Sequence, residues 1–118
     1  MTTRIDLARA LEGYRFRAAD EQMLQAGVER VLRAAGFDVR AEVKLSDASR
    51  IDFMVGAVGI EVKPHGSLAA LTAQLFRYAE HDAVAELLVL VTSNRLGNLP
   101  ATILGKPVLA VNLHRGRL

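Results

Sequence analysis

Asp52 stands nine residues before Glu61, and Glu61 opens the triplet Glu61-Val62-Lys63. Both acids sit on short apolar runs, joined through Gly56-Ala57. Folded as a β-hairpin, that spacing gathers two carboxylates and an ammonium on one patch. The patch suits a hard divalent cation, Mg²⁺ or Mn²⁺, which takes one or two carboxylates and completes its shell with waters and phosphate oxygens. The Val62 carbonyl could add a ligand. Such a cation polarises a phosphoryl oxygen and acidifies a bound water. Lys63 would hold that hydroxide or balance charge in the transition state. The chemistry would be cleavage of nucleic acid.

A plainer reading competes. Acid and lysine on the wet face of a hairpin often form a cross-strand ion pair contributing roughly 0.2–1 kcal/mol. Against it, the charges interrupt core-like segments, where an unpaired carboxylate is costly. Polar groups also stand on otherwise apolar helix faces. Glu21 falls in the stripe of Leu24, Val28, Val31, Leu32 and Ala35, near a helix start. It reads equally as a site acid or as a charge that suits the helix dipole. Gln74 and Tyr78 are four residues apart and share a helix face. Tyr78 alone would be an ordinary core aromatic with its hydroxyl at the rim; Gln74 amid Leu71 and Leu75 is harder to explain as packing.

The elements that must position these groups follow from periodicity. Residues 1–18 form a helix or arm weakened by Gly13, with Leu7, Ala8, Leu11 and Tyr14 on one face. A helix spans 19–36 and stops at Gly36. Apolar alternation then gives a strand over 37–45. Further strands cover 51–55 and 58–63, the latter ended by Pro64. In the first of these Ile51, Phe53 and Val55 oppose Asp52 and Met54; in the second Glu61 and Lys63 share a face. A helix over 67–81 and a doubly buried strand over 86–92 come next. A short helix around 99–104 and a last strand over 108–112 complete the order α-β-β-β-α-β-α-β, an α/β fold with helices on a mixed sheet.

Composition narrows the setting. The 118 residues fit one domain. No cysteine is present, which excludes disulfides and thiolate metal sites and suits a reducing compartment. The longest apolar run, Leu87 to Val91, is far too short to span a bilayer. The first residues lack a signal-peptide core, so the expected location is cytoplasmic. A formal net charge of +2 is weak evidence for nucleic acid. Arginines do gather between Arg4 and Arg17, and His114-Arg115-Gly116-Arg117-Leu118 makes a basic tail, features that are usually just solvated.

Taken together, Asp52, Glu61-x-Lys63 and Gln74-x-x-x-Tyr78 resemble the PD-(D/E)xK nuclease superfamily, and the last motif resembles its RecB-like branch. The resemblance covers roughly residues 21–92, in motifs that are each short but are ordered and spaced together. It implies a restriction-endonuclease-like αβββαβ core over 19–92, a 1–18 arm and a 93–118 αβ extension. It also implies Asp52 and Glu61 as metal ligands with the Val62 carbonyl, Lys63 as the catalytic lysine, Glu21 as the completing acid, and Gln74 and Tyr78 as orienting residues. Ile51 stands where many members carry proline. Lys44, Arg50, His65 and Arg95 are candidate DNA contacts; His65 reads first as an exposed loop histidine, and Arg95 nearly as well as a solvated arginine. His81 and His114 lack partners at metal-ligand spacing. The expected activity is that of a metal-dependent deoxyribonuclease. The alternatives are a catalytically inactive nucleic-acid-binding or assembly module, or a small subunit completed by a partner. Because the domain is small for a duplex, a homo-oligomer is expected.

Overall fold

The computed structural model describes residues 1–16 and 20–113. The expected helix start at Ala19 and the basic tail at His114–Leu118 lie outside these. Helix α1 spans Arg4–Leu11 and α2 spans Glu21–Ala34. Three strands follow, β1 (Val39–Ser46), β2 (Ser49–Val55) and β3 (Val58–Lys63). Helix α3 (Leu68–Ala79) leads to β4 (Glu86–Val91), β5 (Thr102–Ile103) and β6 (Lys106–Asn112).

Local chemistry sets these bounds. Thr3 and Asp6 close a reciprocal capping box on α1. Asp20 caps α2 by accepting the Met23 N–H at 2.8 Å, and Ser67 caps α3 by accepting that of Ala70 at 3.1 Å. Helix α1 ends at Leu11, so Tyr14 falls beyond it and is exposed rather than sharing its apolar face. Between β2 and β3 the chain reverses in two residues, and Gly56 takes φ +57°, a value the Cβ of other residues opposes.

The strands form one six-stranded mixed sheet in the order β1-β2-β3-β4-β6-β5. β1, β2 and β3 pair antiparallel; β3, β4 and β6 run parallel; β5 pairs antiparallel with β6. α1 and α2 pack on one face through Leu7, Leu11, Leu24, Val28 and Leu32 against Phe53, Ile60, Val62 and Leu88. α3 packs on the other through Leu71, Leu75 and Tyr78 against Met54, Leu87 and Val89. Arg4 ties α1 to the start of β4 through a 2.8 Å ion pair with Glu86. The carboxyl ends of the parallel strands align, with Lys63 beside Val91 and Val91 beside Asn112. Among the described residues no helix is long and apolar enough to cross a membrane.

Three further expectations fail. Residues 99–104 are not a helix: Thr102 and Ile103 form β5, which turns through Leu104 (φ +52°) and Gly105 (φ +77°) into β6. Two consecutive positive φ values make the two-residue turn that matches strand twist, and β6 therefore starts at Lys106, before the expected Val108. Glu21 and Ala35 are exposed, so the buried stripe of α2 is Leu24, Gly27, Val28, Val31 and Leu32. Ile51 breaks alternation: it packs on the α3 side with Met54, while Phe53 and Val55 face α2. Gly59 makes room for it, since a Cβ there would stand 2.5 Å from Ile51 Cδ1.

Candidate active site

The site forms where β2 is released from both neighbours. On the β1 side the register runs Ala41–Phe53 and then Val43–Ile51, leaving Glu42 and Asp52 out. Glu42 has φ +55°, the left-handed region that L-residues avoid at a cost of about 1 kcal/mol. On the β3 side the last ladder pair is Phe53–Ile60. Beyond it, side chains replace the ladder. The Val62 N–H donates to Asp52 Oδ2 at 2.8 Å, and the Asp52 N–H donates to Glu61 Oε1 at 3.4 Å. Each carboxylate is thereby held by the backbone of the other acid's strand.

Tyr78 closes the arrangement from α3. Its hydroxyl lies 2.9 Å from the Arg50 carbonyl oxygen and 3.2 Å from Glu61 Oε1. A hydroxyl has one proton, so while it donates to Arg50 its oxygen is free to accept from a protonated Glu61. Gln74 reaches the same hydroxyl. Among the described residues no buried side-chain nitrogen or oxygen lacks a partner.

The electrostatics are those of two acids confined together. Burial, followed by the Asp52 charge, pushes Glu61 up to about 8. Burial raises Asp52 to about 6 against the hydrogen bond from Val62, and the charges of Glu21 and Glu42 push the same way. At neutral pH the pair holds about one proton between its two carboxyls. Burial and Glu61 also raise the Tyr78 hydroxyl, so it stays protonated.

Lys63 is half-buried and lies against Gly66, where a Cβ would stand 3.2 Å from Lys63 Cε. It takes no part in the ion pairs of the described residues, which join Arg4–Glu86, Arg33–Glu29, Lys44–Asp47 and Arg50–Glu42. The simple cross-strand ion pair is therefore not what this patch forms.

The remaining expected residues are distributed unevenly. Glu21 is exposed and held by Gln25 at 3.1 Å, yet its charge acts on Asp52. Arg50 contributes its carbonyl to Tyr78, while its guanidinium points to Glu42 at 3.7 Å. Lys44 is taken up by Asp47 in the adjoining turn. His65 is exposed in the loop after Lys63, and Arg95 donates to the Gly66 carbonyl of that loop at 3.3 Å. Glu42 was not foreseen, because an acid in a polar-apolar alternation gives no sign of a broken ladder. Beside Arg95 and the ends of β4 and β6, Ser93, Asn94, Asn98 and Asn112 line a polar cleft of about 600 Å³. A concavity of about 810 Å³ on the outer face of α3, lined by Leu68, Ala69, Thr72, Ala73 and Phe76, is a different place.

Among the described residues no group of three or more His, Asp or Glu side chains is poised to hold a metal. The donor set is two carboxylates, which matches what Mg²⁺ asks of a protein when water and phosphate complete its shell. Searches of protein-family models, curated proteins and solved structures each returned no match to this chain.

Proposed function

We propose that this protein is a metal-dependent nuclease that hydrolyses DNA phosphodiester bonds, built on a PD-(D/E)xK-like core. The observation that carries the reading is the Asp52–Glu61 pair, two carboxyls forced together under the charge of Lys63, which joins no ion pair among the described residues. Asp52 and Glu61, with the Val62 carbonyl, would hold Mg²⁺ or Mn²⁺. Bound there, the cation would supply a polarised phosphoryl group and an acidified water.

The chain's own groups do the rest. In hydrolysis a water oxygen bonds to phosphorus as the P–O ester bond breaks. Lys63, outside the ion pairs of the described residues, is available to the charge that builds on the phosphoryl oxygens. Tyr78 holds Glu61 in place through its hydroxyl and anchors itself on Arg50. The Val62 N–H fixes the Asp52 carboxylate. The Gly66 loop and Arg95 lie beside Lys63 at the strand ends, where anionic substrate would approach.

The test is incubation with single-stranded, double-stranded and branched DNA in Mg²⁺ or Mn²⁺. Wild type should cut at least one of them, and Lys63→Ala should be slower by about 10²–10³-fold, the range for loss of one charge-stabilising group. No cleavage of any substrate, or equal cleavage by Lys63→Ala and Asp52→Ala, sinks the reading. A second reading, a non-catalytic nucleic-acid-binding module, is favoured by one observation: one oxygen of each carboxylate is already engaged by the backbone of the other acid's strand. Such a module need not bind Mn²⁺ through Asp52 and Glu61, which calorimetric titration separates.

A further inference from the structure

Away from the carboxylates, the chain after α1 lies against α2 at Gly27 and leaves a cleft of about 480 Å³. Its floor is Phe16 lying on Gly27, so close that a Cβ at Gly27 would stand 3.2 Å from the Phe16 ring. Met23 forms a wall, and Tyr14, Arg15 and Arg30 complete the lining. Tyr14 is 50% exposed and Met23 49%, so the apolar lining is open to solvent. The Tyr14 and Phe16 rings are 6.4 Å apart and tilted by 40°, so they do not stack flat on each other. Among the described residues no carboxylate lines the cleft, and neither arginine forms an ion pair or side-chain hydrogen bond.

We infer that this cleft binds an unpaired nucleotide of a single-stranded nucleic acid, with the base against Tyr14 and Phe16 and its phosphates on Arg15 and Arg30. Aromatic faces accept any base, and arginines follow the backbone charge; the combination marks single-strand binding. A base inside a duplex is stacked on both sides and cannot enter a cleft. The placement suits the site already described. Glu21, whose charge acts on Asp52, begins the same helix that carries Met23 and Arg30. Over nine residues of α-helix the separation is about 14 Å along the axis. The inference rests on the nuclease reading for its substrate class: it makes that substrate a strand with an unpaired segment, such as an overhang or a flap.

The experiment separates the two. Binding of a fluorescein-labelled oligothymidine is measured by anisotropy in EDTA, where cleavage plays no part, for wild type, Tyr14→Ala, Tyr14→Phe, Arg30→Ala and Lys63→Ala. Tyr14 is half-exposed, so its truncation leaves the core intact, and circular dichroism checks this. Tyr14→Ala should weaken binding by about tenfold, within the range for loss of one base stack. Tyr14→Phe should restore it, and Arg30→Ala should lower the salt slope by about one. Equal binding by wild type, Tyr14→Ala and Arg30→Ala overturns the inference, as does preference for blunt duplex over the single strand. These readouts do not depend on whether Lys63 or Asp52 supports cleavage. If the cleft variants lose oligothymidine but no DNA is cut, the cleft stands and the nuclease reading falls.

Discussion

Asp52 and Glu61 are under strain of a definite kind, because folding puts their negative charges where each is unwelcome. A carboxyl whose pKa is raised on folding holds its proton more tightly in the folded than in the unfolded chain. The pair therefore supports folding best at low pH. As pH rises from the ordinary values of 3.8 and 4.5 through about 6 and then about 8, the folded state must release tightly held protons, and stability falls. Asp52→Asn removes one charge while keeping an oxygen for the Val62 N–H. It should stabilise the metal-free protein by ~1–2 kcal/mol at pH 8.5 and by much less at pH 4. Urea titration at both pH values measures this; a variant equally destabilised at both would show that the carboxylate repulsion is not there. Lys63 was the most legible residue, since its place after Glu61 fixes its face. Glu42 and the Arg50 carbonyl were illegible, because their roles depend on a ladder breaking, which composition and period do not encode.

At the scale of elements, β2 carries the most unusual demand. Its ladder is interrupted at Asp52, and Ile51 crosses to the α3 side to lie over Gly59. Gly59→Ala should destabilise the protein by about 1–3 kcal/mol, as overpacked cores do. Thermal melts give the value, and a neutral result would mean that Ile51 moves aside freely. The helix and strand periods were plain in the sequence because each buries one regular face: α2, α3, β3 and β4 are close to their expected bounds. Ile51 was not plain, since strict alternation sends it to the α2 side. The 99–104 segment also misled. Its apolar spacing allows a helical turn, yet Leu104-Gly105 adopts the paired positive φ of a hairpin, a conformation leucine rarely takes and sequence pattern therefore does not announce.

For the molecule as a whole, the shared proton makes cation binding a displacement reaction. Mn²⁺ should raise the melting temperature more at pH 8 than at pH 6, and its binding heat should vary with the ionisation enthalpy of the buffer as a proton is released. Buffer-independent heats, or equal shifts at both pH values, would argue against Asp52 and Glu61 as ligands. The two borders of the sheet complete the picture. At one end β5 is only two residues long, and at the other β1 carries Arg40, Glu42 and Lys44 on exposed positions, with the backbone kinked at Glu42. At the β1 border these charges and the left-handed Glu42 interrupt the row of amides and carbonyls that another chain could extend. The same left-handed residue that stands at the break in the Asp52 ladder thus also works against edge-to-edge growth at this border of the small α/β protein.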